Sequence, residues 1–97
     1  MDTADEITRE LAAVKPELEA EFPIRKLGVF GSYARGEQRS ESDLDILVEF
    51  SEPVTLFDLV RLENELTTQL GVDVDLVTRK SLKPGIKARV TDDVVYV

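Results

Sequence analysis

Residues 31–45 read GSYARGEQRSESDLD, from Gly31 to Asp45, and they sit between two apolar runs, Leu27–Phe30 (LGVF) and Ile46–Phe50 (ILVEF). The first run is short and wholly apolar, as expected of a buried strand that ends at Gly31. Leu44–Phe50 alternates, which predicts a half-buried strand with Leu44, Ile46, Val48 and Phe50 on the core face and Asp45, Leu47 and Glu49 on the other. Asp43 and Asp45 are two residues apart at its head, so the period of two puts both carboxylates on one face. Leu44 and Ile46 commit the opposite face to the core, and the strand cannot turn over without burying the acids.

A pair of acids on the open side of a strand is common and by itself marks only a solvated surface. Hard oxygen donors at this spacing also suit magnesium. Upstream, Gly31-Ser32 closes the first strand where free backbone N–H groups and a small hydroxyl can hold phosphate oxygens. A lone Gly-Ser pair is more often a turn and a cap. Here ten residues, Tyr33 to Ser42, separate it from Asp43, enough for residues 32–36 to form a short helix or turn and for the chain to return to a neighbouring strand.

The remaining elements follow from periodicity. Ile7, Leu11, Val14, Leu18 and Phe22 make one stripe of a helix over residues 3–22, with Thr3 and Glu6 as a capping box and Pro16 as a kink or short break. Thr55 and Asp58 cap a second helix whose Leu56, Leu59, Leu62, Leu66 and Leu70 face the core, closed by Gly71. Val72–Thr78 (VDVDLVT) reads as a third strand. A basic segment with Arg79, Lys80, Lys83, Lys87 and Arg89 follows, with a short helix after Pro84; it is a solvated face or a surface for a partner or phosphate. The expectation is one α/β domain over residues 1–97: a small mixed sheet of about three to four strands packed against about four helices.

Composition narrows the chemistry. The 97 residues contain no Cys and no His, which removes thiol nucleophiles, zinc–thiolate sites and Ser-His-Asp catalysis, so carboxylates must carry any reaction. With 20 acidic against 12 basic residues the net charge is −8, which disfavours a general nucleic-acid binder. An apolar share of 42% with 33% charged is ordinary for a globular chain, no run reaches membrane-spanning length, and Asp2, Asp5 and Glu6 replace the basic start of a secretory signal. The cytoplasm is the expected compartment.

Gly31-Ser32, ten residues, then Asp43-x-Asp45 resembles the defining pattern of the DNA polymerase beta type nucleotidyltransferase superfamily. The words GSYARGE and SDLDILV are similar to its minimal nucleotidyltransferases, which are chains of about this size. The resemblance implies a third carboxylate from a word like VDLVT, here Asp75, with Asp73 as the lesser candidate on the same face. It implies ATP as substrate and a two-magnesium site held by Asp43, Asp45 and Asp75, with Asp75 also helping to receive the acceptor's proton. Gly31, Ser32 and nearby backbone would hold the outgoing phosphates. Arg35 would steady a phosphate or an acidic neighbour, or else be structural.

Minimal members are typically antitoxins paired with a HEPN-domain RNase-like toxin, some of which add AMP to a toxin tyrosine. The implied function is therefore adenylylation of such a partner within a hetero-oligomer. Two alternatives stay open: silencing by occlusion alone, and transfer to a small molecule such as an aminoglycoside. The size of the chain disfavours the latter, because 97 residues leave no separate acceptor lobe.

Overall fold

The computed structural model describes residues 4–36 and 43–97. The chain runs α1 (Ala4–Glu21), β1 (Ile24–Phe30), β2 (Leu44–Phe50), α2 (Leu56–Leu70), β3 (Val74–Thr78), a 3-10 turn (Arg79–Ser81), α3 (Pro84–Asp93) and β4 (Val95–Tyr96). Among the described residues there are three α-helices where about four are expected. Pro16 does not split α1: both Pro16 and Ala12, whose carbonyl loses its partner, are exposed, so water can serve that group. Residues 31–36 form turns rather than a helix, ending at Gly36 with φ +71°. The capping box expected at Thr3 lies outside the described residues.

The strands form one mixed sheet in the order β3-β2-β1-β4. β1 is antiparallel to β2 and β4, and β2 is parallel to β3. α1 and α2 cover one face. Their stripes supply Ile7, Leu11, Leu62 and Leu66, all fully buried, against Leu27, Val29, Leu44, Ile46 and Val48 of the central strands. This is the core that the periodicity predicts except at Leu56, which is the first residue of α2 and stands 77% exposed at the helix end instead of facing the core. Burying each core side chain contributes about 1.5–3 kcal/mol. α2 is fixed at both ends. The Thr55 hydroxyl accepts the Asp58 N–H at 3.1 Å, the Asp58 carboxylate accepts the Thr55 N–H at 3.2 Å, and Gly71 closes the helix at φ 70°.

The second face departs from the expected alternation. Leu47 shares the face of Asp45, yet it is only 4% exposed and lies outside the main core, as does Val90 of α3. The reason is the passage from α3 into β4: Val94 stands over Gly28, the β1 partner of Leu47, so closely that a Cβ on Gly28 would lie 2.7 Å from Val94 Cγ2. β4 itself pairs Val95 with Val29 and Tyr96 with Gly28, and the Val97 N–H donates to the Leu27 carbonyl at 2.9 Å. Lys15 Nζ then donates to the Val97 carbonyl at 2.7 Å and ties α1 to this last strand. A two-residue strand has no periodicity to read, which is why the sequence locates only three of the expected three to four strands. No helix among the described residues is long and apolar enough to cross a membrane.

Candidate active site

Topology brings the two halves of the quoted stretch together. β1 and β2 are antiparallel with Phe30 opposite Asp45, so Gly31-Ser32, which follow β1, emerge beside the head of β2. Gly31 has φ +75°, a conformation that side chains resist, and a Cβ on it would collide with Asp45 Oδ2. The next residues coil back, the Arg35 N–H donating to the Gly31 carbonyl at 3.1 Å and the Gly36 N–H to the Tyr33 carbonyl at 3.2 Å. Tyr33 is buried at 6% exposure and anchors this turn in the core, so it is a packing residue. Ser32 is half-buried at the turn's start.

β3 delivers the third acid. Its parallel register with β2 sets Asp75 directly beside Asp45, so the period of two gives both the same face. Asp43 immediately precedes β2 and is exposed, as is Asp75, while Asp45 is half-buried. Asp73 precedes β3, is exposed, and its carbonyl accepts the Leu44 N–H at 2.8 Å. Its backbone thereby helps to fix the entry of β2, while β3 proper begins after it.

The electrostatics follow from this crowding. Burial, then the neighbouring Asp75 and Asp43, hold the Asp45 carboxyl above the usual carboxylate range, and Arg35 partly offsets them. Arg35 is itself fixed, Nη1 lying 2.9 Å from Asp93 Oδ2 in the last turn of α3. Sequence reasoning did not single out Asp93. Its signal was an acid pair, Asp92-Asp93, at a helix C-terminus, where the dipole disfavours negative charge unless a cation compensates.

The donor set is three carboxylates from adjoining strands, hard oxygens in a locally anionic site, and that chemistry fits a hard divalent cation. As the side chains stand, no group of three acids among the described residues has closed to metal-ligand spacing. What the arrangement offers is a turn with small residues and backbone N–H groups, adjoined by Asp45, whose charge is held back by its neighbours.

Comparison with known proteins gives the family and the fold. The sequence profile of the Nucleotidyltransferase domain family matches residues 11–97. The protein adenylyltransferase MntA of Thermococcus cleftensis is 50% identical over 97 residues, covering 100% of this chain and 98% of that one. Among solved structures, one given provisionally as a minimal nucleotidyltransferase superimposes with a TM-score of 0.80 at 39% identity, covering 96% of this chain and 94% of the other. A chain from a toxin–antitoxin structure with AMP-PNP gives a TM-score of 0.73 at 26% identity, covering 90% and 70%. This chain therefore belongs to the nucleotidyltransferase domain family and has the minimal nucleotidyltransferase fold.

Proposed function

We propose that this protein is an antitoxin that transfers AMP from ATP to a tyrosine hydroxyl of a HEPN-domain RNase-like partner and so silences it. The observation that carries the reading is the in-register pair Asp45 and Asp75 beside the Gly31-Ser32 turn. The adenylyltransferase name of the Thermococcus relative and the toxin–antitoxin setting of the AMP-PNP structure support the choice of nucleotide and of a protein acceptor. A cytoplasmic setting, where ATP and such a partner meet, belongs to the same reading, and the net charge of −8 speaks against nucleic acid as the acceptor.

In this mechanism the Ser32 hydroxyl and the backbone N–H groups of the turn bind the β- and γ-phosphates and aim the α-phosphorus at the strand heads. Asp43, Asp45 and Asp75 would hold a magnesium pair, which when bound neutralises charge on the entering and leaving oxygens. The tyrosine oxygen forms a bond to the α-phosphorus as the bond to the β-phosphate oxygen breaks, and pyrophosphate leaves. Asp75, exposed like Asp43, helps to receive the tyrosine proton. Arg35 contributes a positive charge near the phosphates, held in place by Asp93. Catalysis is thus mostly positioning and charge neutralisation, for which neither His nor Cys is needed.

The test is to incubate the protein with ATP, magnesium and a HEPN-domain partner encoded beside it, then weigh the partner intact. One or more adenylyl increments on a tyrosine, absent with Asp43→Asn, is the expected result. Silencing of the partner with no added mass would replace the reading with occlusion.

A further inference from the structure

The same sheet face carries a second feature at its other end. From Asp45 to Glu49, β2 advances four residues, about 13 Å at strand rise, and there a cavity of about 440 Å³ opens among Arg25, Glu49, Phe50, Arg79, Lys80 and Lys87. Four cations line it against two carboxylates, Glu49 and Glu52, in a chain whose overall charge is −8.

Glu49 stands between the two arginines without engaging either closely. Arg25 Nη1 lies 3.7 Å from its Oε1 and Arg79 Nη1 lies 3.7 Å from its Oε2, beyond hydrogen-bond reach, and the buried Oε2 has no hydrogen-bond partner among the described residues. One carboxylate therefore holds two guanidiniums near the cavity by charge while their donor forks stay available. Lys80 and Lys87 add two point charges from the 3-10 turn and from α3, and Phe50 gives the wall an apolar part.

We propose that this cavity is a second anion site, taking a dianionic phosphate group from a nucleoside monophosphate or from inorganic phosphate. Paired arginine forks with flanking lysines match the geometry and charge of such a group. The volume suits a small ligand of nucleotide size. About 13 Å of β2 lies between Asp45 and Glu49, and none of Gly31, Ser32, Asp43, Asp45 and Asp75 lines the cavity, so it is a second site and not part of the first.

The test is titration of the isotope-labelled full chain with AMP and, separately, with inorganic phosphate, in EDTA and moderate salt, followed by amide NMR. The expected result is saturable shifts at Glu49–Ser51 and Thr78–Lys80, with affinity lowered roughly tenfold in Arg79→Lys, which keeps the charge but loses the fork, and in Lys87→Gln at an exposed helix position. Tighter binding of AMP than of phosphate would assign the apolar wall to the base; equal affinities would assign the site to phosphate alone. Shifts confined to Gly31–Tyr33, affinities unchanged within about twofold in both variants, or saturation by a hexaglutamate peptide but by neither phosphate ligand would overturn the proposal.

Discussion

The Asp45 carboxylate occupies the space that a side chain on Gly31 would take, and Gly31 sits at φ +75° beside it. Whatever phosphate approaches this turn, the glycine first has to admit the acid on the adjacent strand. Gly31→Ala should therefore displace the Asp45 carboxylate and strain the turn by about 1–2 kcal/mol. The expected outcome is adenylyl transfer reduced by at least about tenfold, with circular dichroism unchanged. Transfer within twofold of the parent would show that the two groups can separate harmlessly.

Asp43→Asn and Asp45→Asn should each abolish transfer, and Asp75→Asn should be nearly as severe because Asp75 lies in register with Asp45. Asp73→Asn should be mild, since the hydrogen bond observed at this residue is made by its carbonyl, which substitution leaves intact. Initial rates with saturating ATP and magnesium decide the order. A larger loss at Asp73 than at Asp75 would exchange their roles.

The raised pKa of Asp45 has a consequence for stability. Burial, Asp75 and Asp43 favour its protonated form in the fold, so its favourable contribution is full below the ordinary carboxylate pKa and is lost as pH rises through the raised value. In EDTA at neutral pH the ionised Asp45 is thus a burden on the folded state. Asp45→Asn should melt higher than the parent at pH 7, and the gap should close as the pH falls toward the acidic range. A variant that melts lower at pH 7 would mean that hydrogen bonds to the carboxylate outweigh the crowding.

Much of this site was legible before any fold was known, and the reason is local. Asp43 and Asp45 take their shared face from the strand period, and Leu44 and Ile46 take theirs from the core, all fully buried or nearly so where alternation demands it. Asp75 could be named only through family resemblance, because parallel register between β2 and β3 is a long-range property that no spacing encodes. Alternation puts Leu47 on the face away from the main core but cannot foresee α3 and Val94 folding back to bury it there. β4 and the Arg35–Asp93 pair escaped for the same cause, joining residues distant in the chain.

That pair yields a further expectation. Asp93 Oδ2 holds Arg35 Nη1 at 2.9 Å across partly exposed surface, an interaction of about 0.2–1 kcal/mol in itself. Its value is positional: Arg35 is the cation acting on Asp45. Asp93→Asn should raise KM for ATP several-fold with a smaller change in kcat, and Arg35→Lys should do the same more strongly, because lysine keeps charge but loses the fork. Unchanged steady-state constants in both variants would make the contact merely structural.

β3 is an edge strand, and its outer side is not left open. The Leu76 N–H donates to Glu63 Oε2 of α2 at 3.0 Å in a half-buried setting, so a helix side chain takes the place of a neighbouring strand. Removing that acceptor strands a backbone donor at a cost of about 1–3 kcal/mol and exposes an edge that can pair with another chain. Glu63→Ala should accordingly lower the melting temperature by several degrees and broaden the sedimentation profile toward dimers, while Glu63→Gln, which keeps an oxygen acceptor, should lose less than half as much. Transfer activity should fall with stability, since β3 carries Asp75 and any loosening of the strand moves that acid away from Asp45. A Glu63→Ala protein that melts with the parent and stays monomeric would show that β3 is held by its pairing to β2 alone.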